Sequence, residues 1–202
     1  MEAGGRTERG QAGWVYRRGR SECRNHNELA PPAAAPTLAS AARGLQDRHT
    51  SFLRLNYYPL AHPAASAPAP AATAAPAASL LGINPHTDAG FLTILAQDAV
   101  PGLEVEAAGG GGWVLVDPIP GALTVNVGDQ CQVISNGRFR APPHRVRGPL
   151  PGAAAPRYSA AFFFNPRPDA EVAPLPCFVD AAHPPAYRPI RWGEFRAKRF
   201  AG

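Results

Sequence analysis

Short apolar runs recur at intervals of about ten residues from residue 80 onward, after one earlier run at 51–58. The runs are SFLRLNYY (51–58), FLTILAQ (91–97), LEVE (103–106), WVLV (113–116), LTVNV (123–127), CQVIS (131–135), HRVR (144–147) and YSAAFFF (158–164). Gly, Pro, Asp or Asn bound the runs from residue 80 onward, and Asn136-Gly137 between two of them is a hairpin signal. Regular short strands joined by turns are typical of antiparallel sandwiches and barrels, so each run is predicted to be a strand.

Three segments depart from this strand pattern. Residues 1–39 are rich in Gly and Arg and then in Ala and Pro, and they are predicted to be a disordered tail. A second stretch, 61–79, holds 11 Ala and 4 Pro in 19 residues and is expected to be a flexible insertion. Helical spacing of apolar residues predicts short helices at Thr37–Asp47 and, with an amphipathic pattern, at Trp192–Phe200. The folded domain is therefore expected to span residues 40–202, interrupted by the insertion.

Composition narrows the class of protein further. A chain of 202 residues with 45% apolar residues is long enough for one domain with its own core. Its 24 Pro and 20 Gly residues argue against an all-helical bundle. No run of 18 apolar residues and no secretory signal is visible, so neither a membrane-spanning helix nor export is expected. The three cysteines, Cys23, Cys131 and Cys177, are far apart, which indicates a reducing, cytoplasmic setting.

The net charge of +5 does not indicate a nucleic-acid interface. Nineteen of the 20 basic residues are Arg, and Lys198 is the remaining one. These residues do not form a basic run with interleaved aromatic side chains, which nucleic-acid binding favours. Nucleic acid is therefore not expected to be a partner.

His86, Asp88 and His144 are the first candidates for chemistry. In a strand, residues i and i+2 share a face, so His86 and Asp88 would present an imidazole and a carboxylate side by side. Two histidines and one carboxylate on one face of a metal leave three coordination positions open, as in non-haem Fe(II) oxygenases. The His-x-Asp spacing alone also occurs by chance, and His144 on a later strand strengthens the metal interpretation.

Arg157 and Ser159 form a second candidate pair, on one face of a strand that begins just before the run at 158–164. An arginine fork takes a carboxylate through two parallel hydrogen bonds, and a serine hydroxyl adds a third. An arginine facing the interior is unfavourable unless it meets an anion. The alternatives are that Arg157 pairs with a carboxylate of the protein or faces solvent.

Taken in order, these motifs resemble the 2-oxoglutarate- and Fe(II)-dependent dioxygenases of the isopenicillin N synthase-like group. The matching segments are NYYP (56–59), PHTDAGFLTIL (85–95), GLEV (102–105), Trp113, PIPGALTVNVGD (118–129), SNGRFRAPPHRV (135–146) and RYSAAFFFNPRPDAEVAPL (157–175). The resemblance covers residues 50 to 200 apart from the Ala/Pro insertion. It implies a double-stranded β-helix, or jelly roll, flanked by a few short helices.

The resemblance also implies roles for individual residues. His86, Asp88 and His144 would be the Fe(II) ligands, and Arg157 and Ser159 would hold the distal carboxylate of 2-oxoglutarate. Asn56 and Tyr58 match positions near the co-substrate in relatives. The implied reaction uses O2 and couples oxidative decarboxylation of 2-oxoglutarate to hydroxylation or desaturation of a small organic substrate. The oligomeric state is left open.

The sequence departs from the family pattern at its N-terminal end. Family members have a longer N-terminal region that covers the barrel, and here low-complexity sequence replaces most of it. The chain is therefore expected to be a fragment, a truncated product or a minimal form. Two alternatives to an active oxygenase follow: a jelly roll that binds metal and 2-oxoglutarate without turnover, or a truncated product without function.

Overall fold

A computed structural model describes residues 13–17, 48–60, 81–149 and 153–201 of the chain. Its strands are β1 (Gly13–Arg17), β2 (Phe52–Tyr58), β3 (Leu81–His86), β4 (Leu92–Gln97), β5 (Leu103–Glu106), β6 (Trp113–Leu115), β7 (Ala122–Val127), β8 (His144–Arg147), β9 (Arg157–Phe164), β10 (Glu171–Val172) and β11 (Ile190–Arg191). The helices are α1 (Asp129–Ile134) and α2 (Trp192–Phe200), and a 3-10 turn lies at Pro176–Phe178.

Two antiparallel sheets form the body of the protein. The larger sheet has the strand order β1-β7-β4-β9-β2, and the smaller has the order β3-β8-β5-β6. Non-consecutive strands are neighbours in both, as the chain crosses repeatedly from one sheet to the other. This architecture confirms the predicted jelly roll with short flanking helices.

Side-chain alternation along β9 shows which face of the larger sheet points inward. Arg157, Ser159 and Ala161 are buried, whereas Tyr158 and Phe162 are exposed. Between the two sheets lies an apolar cluster built on three buried residues, Tyr58, Leu103 and Val146, with Ile83, Leu95 and Val116 packed against it. The inner face of the sheets thus combines an apolar lining with a buried arginine and serine.

A second apolar core lies beside the sheets, where α1, β10 and α2 meet. Its buried members are Phe91, Cys131, Val133, Ile134, Ala170, Val172 and Trp192. The indole of Trp192 is fully buried, and its Nε1 donates a hydrogen bond to the Thr50 hydroxyl at 2.8 Å. This core attaches both helices to the strands. The predicted amphipathic helix at Trp192–Phe200 is confirmed, and its first residue is buried in this core.

The prediction of a strand at CQVIS (131–135) was wrong, since residues Asp129–Ile134 form α1. The pattern contains β-branched residues, which favoured a strand. Its buried positions, Gln130, Cys131, Val133 and Ile134, instead follow the spacing of one helix face. Burial against the second core therefore overrides the local β preference.

The interpretation of Asn136-Gly137 as a hairpin turn was also wrong. Both residues have positive φ, 53° and 80°, as a tight turn requires, but they terminate α1. The Gly137 N–H donates to the Gln132 carbonyl at 2.8 Å, a bond of the kind that closes the last turn of a helix. A left-handed pair of residues serves equally well after a strand or a helix, so the dipeptide alone did not distinguish them.

Part of the predicted N-terminal tail forms an edge strand. Residues Gly13–Arg17 pair antiparallel with β7, with Gly13 opposite Asn126 and Arg17 opposite Ala122. Aromatic and β-branched residue types such as Trp, Val and Tyr favour strands, which accounts for this departure. The rest of the tail, the predicted helix at Thr37–Asp47 and the insertion at 61–79 lie outside the described residues.

Among the helices that the structure describes, none combines the length and apolar character needed to cross a membrane.

Candidate active site

The three predicted metal ligands lie where β3 and β8 meet in the smaller sheet. His86 is the last residue of β3 and His144 is the first residue of β8, and the two are paired across the strands. Their rings lie 4.4 Å apart between centroids. Asp88 lies two residues beyond the end of β3, so the expectation that it shares a strand with His86 was wrong. The loop after β3, rather than strand alternation, turns its carboxylate towards the imidazoles.

The ligand atoms of these residues converge on one point. Nε2 of His86 and Nε2 of His144 each lie 3.6 Å from Oδ1 of Asp88. One ligand atom from each of the three residues lies within 4.8 Å of the other two. Two imidazole nitrogens and one carboxylate oxygen at this separation could hold a divalent metal ion.

Backbone carbonyl groups orient both imidazoles. Nδ1 of His86 lies 2.8 Å from the Asn84 carbonyl oxygen, and Nδ1 of His144 lies 3.1 Å from that of Pro142. A carbonyl oxygen can only accept, so each Nδ1 carries the proton and donates it. The neutral tautomer that results leaves the Nε2 lone pair free for a metal.

Two polar side chains of the larger sheet hold the Asp88 carboxylate. Thr93 of β4 donates to Oδ2 at 2.5 Å, and Asn126 of β7 donates to the same oxygen at 2.8 Å. Oδ1 is left directed at the two histidines. Such partners fix a ligating carboxylate in the orientation that the metal needs.

The loop that carries the ligands is also held by both helices. The N–H of Asp129 at the start of α1 donates to the Asp88 carbonyl oxygen at 2.8 Å. Arg199 of α2 donates to both the carbonyl oxygen and the hydroxyl of Thr87 at 3.2 Å. These bonds fix the loop at Thr87 and Asp88.

Burial changes the acidity of two groups in this region. It lowers the pKa of His86, and the neighbouring His144 lowers it further, although the bond to Asn84 and the Asp88 carboxylate act in the opposite direction. A lower pKa favours the neutral imidazole, the form that binds metal. Burial also disfavours the charged form of Asp129, which raises the pKa of its carboxyl group.

Arg157 lies between the sheets with 0% of its surface exposed. Its Nη2 donates to the Gln97 side-chain oxygen at 3.0 Å, but Nε and Nη1 have no hydrogen-bond partner among the described residues. Burial lowers the pKa of the guanidinium, whereas Tyr58 and Asp98 act in the opposite direction. An arginine side chain stays protonated in proteins. A buried cation with two unpaired donor nitrogens fits an anionic ligand.

The other residues predicted near the co-substrate surround this arginine. Asn56 is paired with Ser159 across β2 and β9, and Tyr58 is paired with Arg157. The Asn56 amide donates to the Ser159 hydroxyl at 3.3 Å, and the Arg157 guanidinium carbon lies 5.1 Å from the centre of the Tyr58 ring. The structure thus brings the four residues predicted for 2-oxoglutarate to one place.

Strand β4 connects Arg157 with the group formed by His86, Asp88 and His144, which we call the metal-ligand cluster. Its inward positions are Thr93, which bonds to Asp88, Leu95 of the apolar lining, and Gln97, which bonds to Arg157. At about 3.4 Å per residue, the ends of this row lie roughly 14 Å apart along the strand. One strand therefore supports both polar centres, with apolar surface between them.

Sequence reasoning missed Thr93, Gln97 and Asn126. A signal for them was present: all three are polar residues within apolar runs, at positions that strand alternation can turn inward. A polar side chain on the inner face of a sheet needs a partner, and here the partners are Asp88 and Arg157.

Comparison with known proteins agrees with this geometry. The family model described as the 2OG-Fe(II) oxygenase superfamily matches residues 49–166, more than half of the chain. The chain belongs to this superfamily. The matched range includes both histidines and the aspartate of the metal-ligand cluster, together with Arg157 and Ser159.

Individual relatives cover most of this chain. Jasmonate-induced oxygenase 4 of Arabidopsis thaliana is 39% identical over 163 residues, which are 80% of this chain and 41% of the relative. Mugineic-acid 3-dioxygenase of Hordeum vulgare is 36% identical over 184 residues, or 86% of this chain and 49% of that protein.

A solved structure shares the fold. The crystal structure of Neurospora crassa T7H in complex with alpha-KG has a TM-score of 0.68 and 28% identity. The match covers 81% of this chain and 48% of T7H. This chain thus spans less than half of the length of each of these three relatives.

Proposed function

We propose that the protein is a non-haem Fe(II) oxygenase that couples oxidative decarboxylation of 2-oxoglutarate to hydroxylation or desaturation of a small organic substrate. The observation that carries this proposal is the convergence of two imidazole nitrogens and one carboxylate oxygen on one point, with a buried arginine farther along the same inner face of β4. Membership of the superfamily supports the same reaction.

We propose His86, Asp88 and His144 as the Fe(II) ligands. The donor set suits this metal because neutral imidazoles and a carboxylate are the ligands of the facial triad, which leaves positions open for O2 and a co-substrate. Bound iron would supply the oxidising chemistry. The protein residues orient the ligands: two backbone carbonyls hold the imidazoles, and Thr93 and Asn126 hold the carboxylate.

For the co-substrate, we propose that Arg157 and Ser159 bind the distal carboxylate of 2-oxoglutarate, with Asn56 and Tyr58 beside them. The unpartnered Nε and Nη1 of Arg157 support this assignment, since a carboxylate would satisfy donors that are otherwise buried without a partner. The apolar cluster that includes Leu95, Leu103 and Val146 would limit the access of water to a co-substrate bound between the sheets.

The proposed substrate is a small organic molecule rather than nucleic acid or a membrane lipid, and the proposed location is the cytoplasm. The relatives named for jasmonate and mugineic acid support a small-molecule substrate. The reducing setting expected from the few, widely separated cysteines supports the location.

A second candidate is a module that binds metal and 2-oxoglutarate without turnover. Its support is the short span of the chain relative to its relatives, together with the exposed apolar side chains of Leu53, Leu55, Tyr57 and Tyr158 on the outer face of the larger sheet. Apolar surface of this kind is what a covering segment would bury.

Succinate formation distinguishes these candidates. The protein is incubated with Fe(II), 2-oxoglutarate and a panel of small organic acids, alongside the His86→Ala variant. Turnover above that of the variant supports the oxygenase. Metal-dependent binding of 2-oxoglutarate without succinate release supports the module, and absence of both contradicts each proposal.

A further inference from the structure

The guanidinium of Arg157 is held on three sides by residues that do not neutralise it. Gln97 accepts from Nη2 at 3.0 Å, the Tyr58 ring lies 5.1 Å from the guanidinium carbon, and Gly102 lies against the side-chain stem. The Gln97 amide and the Tyr58 side chain are neutral, and the Asp98 carboxylate acts on the guanidinium by charge attraction without a hydrogen bond among the described contacts. The arginine therefore keeps a full positive charge while its position is fixed.

The residue after Gln97, Asp98, carries a carboxylate whose hydrogen bonds go to backbone groups. Both oxygens of Asp98 accept backbone N–H groups: Oδ2 from Tyr158 at 2.6 Å and Oδ1 from Val100 at 3.0 Å. These bonds hold the carboxylate at the backbone of β9. Arg157 instead contacts the neutral side chain of Gln97, one position earlier, at the end of β4.

Gly102 provides the space for the arginine stem. A Cβ at this position would lie 3.0 Å from Cδ of Arg157, 3.1 Å from its Nε, and 2.6 Å from the carbonyl oxygen of Arg147. Real Cβ atoms do not approach a backbone carbonyl that closely. Any side chain at residue 102 would therefore displace Arg157 or strand β8.

We infer that Gln97 is a positioning residue for 2-oxoglutarate. Its neutral amide holds Arg157 so that Nε, Nη1 and the full positive charge are available to the co-substrate. Gly102 leaves the space that the arginine side chain occupies. The inference rests on the proposed function and deepens it. A carboxylate at residue 97 would form an internal ion pair with Arg157 and compete with the distal carboxylate of 2-oxoglutarate.

The test compares two 2-oxo acids that differ at the distal end. 2-Oxoglutarate and pyruvate share the 2-oxo acid group that binds metal, but pyruvate lacks the distal carboxylate. Calorimetric titration of both into Mn(II)-loaded protein is carried out for the wild type, Gln97→Glu, Gln97→Met and Arg188→Gln. Arg188 is exposed, and its replacement changes the net charge by the same amount as Gln97→Glu.

Gln97→Glu is expected to weaken 2-oxoglutarate binding about 10-fold or more, as for loss of a charged hydrogen-bonded contact, and to leave pyruvate and Mn(II) binding unchanged. Gln97→Met keeps the charge of Arg157 but removes its anchor, so a smaller loss confined to 2-oxoglutarate is expected. Arg188→Gln is expected to bind both acids as the wild type does.

The inference is overturned if Gln97→Glu binds 2-oxoglutarate as tightly as the wild type, or if both acids weaken by the same factor, which would indicate a general distortion. It is also overturned if Gln97→Met has wild-type affinity. Failure of the wild type to bind 2-oxoglutarate at all is a separate result, which overturns the proposed co-substrate and this inference together. Gly102→Ala is not used, since its methyl group would also press on β8.

Discussion

The two polar centres on the inner face of β4 are prepared for their ligands in different ways. In the metal-ligand cluster each atom that does not face the metal position already has a partner: a backbone carbonyl for each imidazole, and Thr93 and Asn126 for Asp88. The arginine centre is fully buried, yet two of its three nitrogens have no partner among the described residues. The first geometry is complete without a ligand, whereas the second leaves donors that an anion would satisfy.

This difference predicts an asymmetry between the two centres. In the proposed site, 2-oxoglutarate would bind the metal at one end and the arginine at the other, so loss of the metal would remove one of its two anchors. Loss of the arginine leaves the metal-ligand cluster untouched, because no hydrogen bond joins Arg157 to a ligand residue among the described contacts. Changes at the metal end should therefore impair both ligands, and changes at the arginine end only one.

The largest effect is expected for His86→Ala. Mutation of a residue that only hydrogen-bonds to a metal ligand lowers metal affinity by about 10–100-fold. Loss of a ligand itself should therefore weaken Fe(II) or Mn(II) binding by more than about 100-fold. Binding of 2-oxoglutarate should disappear with it. Metal titration by calorimetry measures both. His183→Ala is the matched control, since His183 is exposed and pairs with Asp180 instead; equal metal affinity in the two variants would contradict the ligand assignment.

Arg157→Lys should have the next largest effect, and it should be confined to 2-oxoglutarate. A lysine ammonium keeps the charge but cannot reproduce the planar fork, so the Kd for 2-oxoglutarate is expected to rise about 10-fold or more. Titration of the metal alone should give wild-type affinity. An unchanged Kd for 2-oxoglutarate would remove Arg157 from its proposed role, and a parallel loss of metal affinity would contradict the asymmetry.

Thr93→Val tests whether the hydrogen bond from Thr93 orients the Asp88 carboxylate for metal binding. Valine has nearly the shape of threonine but cannot donate to Asp88, so the carboxylate keeps only its bond from Asn126. A loss of about 10-fold in metal affinity is expected. Thermal unfolding of the metal-free variant serves as the control for folding. Wild-type metal affinity in a folded Thr93→Val protein would show that the orientation of Asp88 does not depend on this bond.

The smallest effect is the pH dependence of metal binding. Protonated imidazole cannot bind metal, and burial lowers the pKa of His86 below its usual 6.5. Neutral His86 therefore persists down to about pH 6.5. Metal affinity should be nearly constant from about pH 8 to 6.5 and should decrease at lower pH. The metal-free protein should also lose stability below about pH 6.5, because the unfolded chain binds this proton more tightly. Mn(II) titrations across this range measure the profile; a decline that begins well above pH 7 would contradict the lowered pKa.

The sequence alone determined much of the strand pattern and the chemistry. Apolar runs bounded by Gly, Pro and Asp predict strands because alternation and turn residues act locally, and β2, β4, β5, β6, β7, β8 and β9 were anticipated in this way. The order of His86, Asp88, His144, Arg157 and Ser159, within matching flanking motifs, gave the resemblance to Fe(II)-dependent dioxygenases.

Tertiary structure decided what local pattern could not. Residues 131–135 carry β-branched side chains but form a helix, since their buried faces meet the core around Trp192. The loop after β3, rather than strand alternation, places Asp88 beside the histidines. Contacts between residues distant in the chain are also tertiary: that of Gln97 with Arg157 depends on the pairing of β4 with β9, and that of Thr93 with Asp88 depends on how the two sheets face each other. A linear sequence fixes residue types and local periodicity, whereas pairing across sheets is set by the packing of the whole fold.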